Sequence, residues 1–474
     1  MSGLTTQNLA YVQALPHWDL VDDLMAGTTA MHRRRRQYLP MSPNEPLDNY
    51  ESRASLAYLE PAYQTAVENH VGRAFAQSPT ITTDLPQDWI EDFDLAGNHA
   101  ARVMRGAFRD AIHYGICYLL ADTTNVTSSR PSLYDQRRYN IRPYCIHIPT
   151  RDLFAWQCAI VNGRLSLTQV RYWENDFAPG QDEFTQNPRR RVRVLDIGRW
   201  RLFEENGDLV GEGKTGLDYL PLVAVNVNPV GFMAARPLME SLAHINRAHY
   251  QSVADQRYIV HFSRVPIPVF TGMNDDPVEI AVGPGVAVHL PTGASFQFVE
   301  TSGIPSNVGS QDIKALEDKM ARLALEPLIP TGVSGDRTAT EAMVGETNTK
   351  SRLESAALVF ADGIERILGY MADLGGQRVQ NTGVVDIKSN FAIAQNTADV
   401  PNLISAVEKG MITHRTFLIE SKRRTFLSDD LDVEAELQNV EAEKEQKAAE
   451  ALAIMAAAPA AQEPGLNRDV TAEQ

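Results

Sequence analysis

Residues 338–374 constrain the fold more than any other stretch. Leu353, Ala357, Phe360, Ile364, Leu368 and Met371 recur there at helical spacing, and no proline interrupts the run. At ~1.5 Å per residue, a helix of about 37 residues is roughly 55 Å long, more than a compact domain needs. Such a helix reads as a strut in an elongated subunit. Gly375-Gly376 ends it, and the preceding segment, Leu328 to Thr338, holds Pro330 and two glycines, which disfavours regular structure.

Periodicity divides the rest of the chain. Trp18, Val21, Leu24 and Met25 recur at helical spacing. So do Tyr58, Tyr63, Val67 and Val71 ahead of Ser78-Pro79, and a third helix is predicted from Asn98 to Leu119. From Arg142 to Asn228 the period becomes two. Strands are predicted at Tyr144–Ile148, Leu165–Val170, Arg191–Leu195 and Leu220–Asn228, with a hairpin from Arg199 to Gly216 that turns at Asn206-Gly207. Helix returns from Arg236 to about His261, with Leu238, Leu242, Ile245 and His249 on one side. Short strands at Val265–Phe270, Val278–Val282, Val286–Leu290 and Ser295–Glu300 then make a small β module, followed by a helix over Gln311–Pro327. In that helix Ile313, Leu316, Met320 and Leu323 share a narrow arc, and Lys314, Asp318 and Arg322 form the opposite ridge.

Beyond the long helix, Val384–Phe391 reads as a strand and the remainder as helical. Val400, Leu403, Ile404 and Val407 form a stripe stopped by Gly410, Thr413 caps a second helix, and Ser428 caps a third, acid-rich one. The low-complexity end, residues 458–474, is expected to be disordered. The fold class is α+β.

The chain has 474 residues and a net charge of −16, from 44 Lys and Arg against 60 Asp and Glu. That balance excludes a tight, general grip on nucleic acid through counterion release, though not a role in surrounding it. Hydrophobic content of 43% excludes a chain disordered throughout. Cys117, Cys145 and Cys158 form no CxxC pair, so buried reduced thiols are expected rather than disulfides or a zinc site. The first twenty residues lack a basic flank and apolar core, so no secretory signal is expected, and no run is long enough to span a membrane.

Signatures of enzymes were weighed against structural readings. Gly211-Glu212-Gly213-Lys214-Thr215 approaches a phosphate-binding loop, but Asp208 stands where the first glycine belongs and a hairpin surrounds it. Asp88, Glu91, Asp92 and Asp94 around Trp89 suit a solvated turn better than a metal site. His244 and His249 sit five apart, on different helix faces, so no metal is expected. The basic run His32 to Gln37 reads as a helix end whose cations meet the C-terminal dipole, with phosphate contact as the alternative. Gly410 to Phe417, followed by Lys422-Arg423-Arg424, could be a helix-turn-helix, but the acidic helix beside it argues for protein packing.

With that architecture assembled, the sequence resembles the portal proteins of tailed double-stranded DNA bacteriophages. The likeness is to one of the siphophage-type families long catalogued as a domain of unknown function. Near the start, Trp18, Asp19, Gly27, Tyr38-Leu39-Pro40, Glu45, Tyr50, Arg53, Gly72 and Phe75 follow the family's order of W, D, G, YLP, E, Y, R, G and F. The succession of long helix, β module, helix, Gly/Pro loop and very long helix resembles the portal order of stem, clip, stem, tunnel loop and wing helix. Thr338 to Ala342 and Val407 to Thr413 resemble the motifs opening the wing helix and the crown.

The resemblance implies a subunit with a wing over 1–235, helical and then β-rich, a first stem helix at 236–262 and a clip at 263–308. A second stem helix at 309–327, a tunnel loop at 328–339, a long wing helix and strand at 340–395, a helical crown at 396–457 and a disordered tail at 458–474 complete it. It further implies a homo-oligomeric ring, a dodecamer, at the capsid vertex of the virion, assembled in the host cytoplasm. Its partners would be terminase, a head-tail adaptor, and major capsid and scaffolding proteins. Double-stranded DNA would pass through without sequence specificity. No catalytic residue, metal, cofactor or membrane is implied. The residues expected to meet DNA are Lys314, Asp318 and Arg322 of the stem with Ser334, Asp336 and Arg337 of the tunnel loop. Asn274, Asp275 and Asp276 of the clip are expected to meet partners. The alternatives are another structural head or connector protein and, on the imperfect phosphate loop, an ATP-driven packaging enzyme.

Overall fold

The computed structural model describes residues 3–124, 134, 138–161, 163–179, 182, 184–264, 267–271, 293, 295–299, 304–324, 339–387, 399–423, 427 and 431–457. The chain forms two units, Met1–Ser389 and Asn390–Gln474.

In the first unit, helices α1 (Leu9–Ala26), α2 (Thr28–Arg34), α3 (Leu47–Leu56) and α4 (Ala62–Ala74) precede a short strand β1 (Thr80–Thr82), α5 (Gln87–Glu91) and α6 (Ala100–Tyr114). Seven strands then form two sheets beside β2 (Ile116–Thr123). These are β3 (Pro143–Ile148), β4 (Leu153–Val161), β5 (Arg164–Pro179), β6 (Gln186–Asp196), β7 (Arg199–Glu204), β8 (Leu209–Lys214) and β9 (Leu222–Asn226). The order β3-β2-β9 makes one sheet and the meander β4-β5-β6-β7-β8 the other, so the predicted sheet region is two layers rather than one. The hairpin turn at Asn206-Gly207 is as predicted, with Gly207 at φ +98°. A small ribbon, β10 (Pro229–Gly231) and β11 (Ala234–Ala235), leads to α7 (Glu240–Ser263). The hairpin strands β12 (Ile267–Thr271) and β13 (Ser295–Val299), α8 (Ile304–Leu323), α9 (Ala339–Leu374) and β14 (Val384–Asp386) follow.

The helix expected over Asn98–Leu119 stops at Tyr114. Gly115, at φ +86°, caps it by donating its N–H to Ala111 O, and a Cβ there would lie 2.0 Å from the Arg236 carbonyl oxygen. The apolar run that follows is strand β2, buried along Ile116–Ala121. A continuous apolar run has no amphipathic period, so spacing alone cannot separate a doubly covered strand from a helix.

Ile116, Tyr118 and Leu120 join a core with Phe154, Val170, Tyr172, Val192 and Val194 of the five-stranded sheet. Alternation turns Cys117, Leu119 and Ala121 to the helical side. Helix α9 packs there, with Leu353, Ala357, Phe360, Ile364, Leu368 and Met371 all buried, as their spacing predicts. Phe360 meets Phe108 of α6 edge-on at 5.2 Å, and at Gly363 a Cβ would lie 2.4 Å from Val225 Cγ2 of β9. Strand β1 pairs antiparallel with β14, Thr80 opposite Asp386, and the joint is extended by Asn381 N donating to Asp84 Oδ2 at 2.9 Å.

Polar groups fix the N-terminal helices. Asp22 Oδ1 accepts from Tyr114 Oη at 2.8 Å and lies 2.9 Å from His113 Nε2, while Arg151 Nε reaches Asp22 Oδ2 at 2.9 Å. The basic run is engaged with protein: Arg34 pairs with Asp23 at 3.0 Å, Arg35 with Glu51, and Arg36 lies over the Tyr50 ring at 5.7 Å. Arg53 is buried. It donates from Nε to Glu45 Oε1 at 2.9 Å and from its terminal nitrogens to Glu45 Oε2 at 2.8 Å, Asp255 Oδ1 at 3.0 Å and Pro40 O at 3.0 Å.

The second unit contains α10 (Asp399–Glu408), α11 (His414–Arg423) and α12 (Val433–Ala457). Gly410, at φ +70°, follows α10, and Thr413 Oγ1 caps α11 by accepting from Thr416 N at 3.1 Å, as predicted. The third helix is capped by Asp432, which accepts from Glu434 N at 2.9 Å; Ser428, the expected cap, lies outside the described residues, as do 458–474. Arg415 pairs with Glu434 at 2.6 Å, which joins α11 to the acidic helix.

Replacing Arg53 with Met should lower the unfolding free energy by about 1–3 kcal/mol in urea titrations, because the half-buried Glu45 carboxylate and the Pro40 carbonyl then lose their donor. The Arg53 hydrogen bonds hold the Glu45 carboxyl below the usual carboxylate range. Its contribution is therefore complete above the unfolded value, near pH 4.3, and is lost as pH falls through the depressed folded one. The urea midpoint of Arg53→Met should accordingly fall less steeply on the acid side than that of the unmodified chain.

Candidate functional site

Helices α7 and α8 are antiparallel neighbours joined by polar side chains. His249 Nε2 lies 3.5 Å from Glu317 Oε1, Ser252 Oγ donates to Asp312 Oδ2 at 2.8 Å, and Gln256 Nε2 donates to Ser310 Oγ at 3.2 Å. As one partner's number rises from 249 to 256 the other's falls from 317 to 310, which defines the antiparallel register. At Gly309 a Cβ would lie 2.0 Å from Gln256 Oε1, so the helices approach closely there. In the chain between them, β12 and β13 pair from Ile267 opposite Val299 to Thr271 opposite Ser295. These coincide with the first and last of the four predicted strands; the inner two lie outside the described residues.

The pair is held to the body through α7. Asn246, fully buried, accepts from Tyr63 N at 3.2 Å and donates to Glu60 O at 3.0 Å; Gln251 donates to Tyr38 O at 2.6 Å; Asp255 meets Arg53. Glu45, Tyr50 and Arg53, three residues of the motif order noted in the sequence, form one cluster beside Tyr38-Leu39: Glu45 clamps Arg53, Arg53 stacks over Tyr50 at 5.6 Å, and Tyr50 Oη donates to Leu39 O at 3.1 Å. Asn246 escaped notice because it sits within an apolar stripe. A lone amide beside Leu242 and His249 on a helix's inner face is the signal that marks it.

On α8, Leu316 and Met320 face inward as predicted, and Lys314, Asp318 and Arg322 are exposed on the opposite ridge. Arg322 Nε donates to Asp318 O at 3.2 Å, so this cation lies along its own helix. Two details differ from expectation. The helix begins at Ile304, inside the segment assigned to the clip, and Ala324 takes the buried place at its end while Leu323 is 36% exposed. Likewise α7 runs Glu240–Ser263 rather than 236–262, because Ala234–Ala235 is tied into the β10–β11 ribbon. Ser334, Asp336 and Arg337, and Asn274, Asp275 and Asp276, lie outside the described residues.

Gly211 to Lys214 belongs to strand β8. The glycines there make room for Trp200: a Cβ at Gly213 would lie 2.7 Å from its Nε1, and Arg193 stacks on the indole at 4.8 Å. Sheet packing therefore explains the glycines that suggest a phosphate loop. Asp92 pairs with Arg142 at 2.7 Å, Asp94 accepts from Asn98 Nδ2 at 2.8 Å, and no cluster of three metal-ligating side chains exists among the described residues. His244 Nε2 lies 3.7 Å from Glu240 Oε1, apart from His249. Cys117 and Cys145 are buried, which pushes both thiols up, whereas Cys158 is exposed, contrary to expectation. A narrow cleft between the two sheets, lined by Leu120, Asp122, Arg193, Arg199, Trp200 and Thr215, has no sequence signature. Its cations are already occupied, Arg193 by Glu174 at 2.7 Å and Arg199 by Asp196 at 3.6 Å.

Residues 237–374, which hold the helix pair and α9, match the family model described as "Domain of unknown function (DUF4055)". No curated protein matches. Solved structures with similarity include a chain of the "Virion of native gene transfer agent (GTA) particle", at 11% identity and TM-score 0.41, covering 81% of this chain and 94% of that one. A chain of the "Neck of native GTA particle computed with C12 symmetry" gives 11% identity and TM-score 0.36, over 79% and 93%. Among the described residues no helix is long and apolar enough to cross a membrane.

Gly213→Ala should destabilise the chain by about 1–3 kcal/mol in urea unfolding because the Trp200 ring must move. Lys214→Ala, at an exposed position, should change it by less than about 0.5 kcal/mol. A phosphate loop would instead show ATP binding in calorimetry that Lys214→Ala abolishes.

Proposed function

We propose that this chain is the subunit of a portal ring in a tailed double-stranded DNA bacteriophage. The ring would sit at one capsid vertex, admit and release the genome, and dock terminase and then the head-tail adaptor. The observation that carries the reading is the order of α7, a small β hairpin, an antiparallel α8 and the 36-residue α9 in one chain. The resemblance reads that order as stem, clip, stem and wing helix. The motif cluster of Tyr38, Glu45, Tyr50 and Arg53, holding α7, supports it further.

The charge chemistry agrees with a conduit. Duplex DNA that must slide cannot be met by a uniformly basic wall, since each neutralised phosphate strengthens binding through released counterions. The ridge of Lys314, Asp318 and Arg322 is charge-mixed, and each subunit carries −16 overall. Contact with the backbone and not with base edges suits a channel that passes every sequence. The protein acts as a structural component of the virion and not as an enzyme, with other copies of itself, capsid and scaffolding proteins as its remaining partners.

Negative-stain images of the purified full chain should show rings with a central channel, with twelve copies as the expected number. A shell-like or filamentous assembly would instead favour another structural protein of the particle. Deleting Ser334 to Arg337 should leave ring formation intact and abolish DNA packaging in an assembly assay. Normal packaging by that deletion would remove the tunnel-loop role from Ser334, Asp336 and Arg337.

A further inference from the structure

The five-stranded sheet ends in β4 and β8, strands that no other strand flanks on the outer side among the described residues. The first half of β4 is protected. Asn8 N donates to Phe154 O at 3.0 Å, Asn8 Nδ2 to Trp156 O at 3.0 Å, and Trp156 N to Asn8 Oδ1 at 3.2 Å. Beyond Trp156 the chain turns outward, and Gln157, Cys158, Ala159 and Ile160 are all exposed. The register sets Cys158 opposite Leu167 and Ile160 opposite Leu165, which places these four on one face of the β4–β5 hairpin tip. Ile160 is 76% and Leu165 51% exposed. Single exposed apolar residues are ordinary, but an apolar face on an open sheet edge is a surface that folded proteins normally cover.

The opposite edge offers a counterpart. On β8, Leu209 is 51% and Val210 45% exposed, and a register shift leaves Val210 without a cross-strand partner. The charges are complementary. From Gln157 to Leu167 the one charged residue is Arg164, whereas Glu205 to Lys214 carries Glu205, Asp208 and Glu212 against Lys214. We propose that these two edges meet in the assembly: the β4–β5 tip of one copy packs on the β8 edge of the next, apolar on apolar, with Arg164 facing the acids. The two surfaces are different patches of the same chain, so the contact is head-to-tail, the kind that builds a ring when its rotation closes. This inference rests on the ring reading above and assigns one contact that builds it.

Cys158 is exposed while Cys117 and Cys145 are buried, which supplies a built-in probe. The assembled full-length Val210→Cys protein, oxidised with copper phenanthroline, should give a ladder of covalent oligomers on non-reducing gels. Peptide mapping should join residues 158 and 210, and Val210→Cys combined with Cys158→Ser should give no ladder. The double variant Ile160→Lys with Leu165→Lys should keep the melting temperature and raise the concentration needed for assembly at least tenfold. Intact rings without the 158–210 link, linkage of Cys158 to Cys158 in the unmodified chain, or unaltered assembly of the lysine variant would each overturn the edge contact and leave the ring reading standing. A chain that stays monomeric at every concentration overturns both.

Discussion

Burial of β2 on both faces is the constraint on which the first unit depends. A strand covered on one side can alternate apolar and polar residues, but Ile116–Ala121 has no side left for water, so both neighbouring layers must be in place. The five-stranded sheet supplies one cover and α6 with α9 the other. Two glycines mark close approaches around this layer: Gly363, where α9 lies against Val225 of β9, and Gly115, where the segment leading into α7 passes the start of β2.

The helix pair is built on a different principle. Its joints, from Ser252 with Asp312 to Gln256 with Ser310, are directional, and its attachment to the body runs through Asn246, Gln251 and Asp255. Each such bond is worth only about 1 kcal/mol; the costly one to leave unmatched is the buried Asn246 amide, which fixes α7 on the body. Apolar packing alone would tolerate sliding between the helices far better.

Where local physics and tertiary demand agree, the sequence was readable. The stripe on α9, the Asn206-Gly207 hairpin, the Thr413 cap and the exposed ridge of Lys314, Asp318 and Arg322 each follow from spacing or from one residue's chemistry. Reading failed where the deciding partner is distant in sequence. Local spacing extends the helix through Ile116–Leu119, whereas the layers that make this run a strand come from residues 154–194 and 353–371. Cys158 was expected inside because nothing local announces that β4 leaves the core after Trp156. The Arg53 cluster was visible as a motif long before its role was, since its acceptor Asp255 is some two hundred positions away.

The pairing of β1 with β14 bears on how the chain reaches this state. It closes a loop of about three hundred residues, which costs roughly 5 kcal/mol of chain entropy before any contact repays it. Helix α9 likewise covers a sheet that is complete in sequence long before the helix is made. During synthesis, then, the early layers must wait with one apolar face open until residues near 386 leave the ribosome. Long-range closure of this kind slows folding relative to a chain built from local helices.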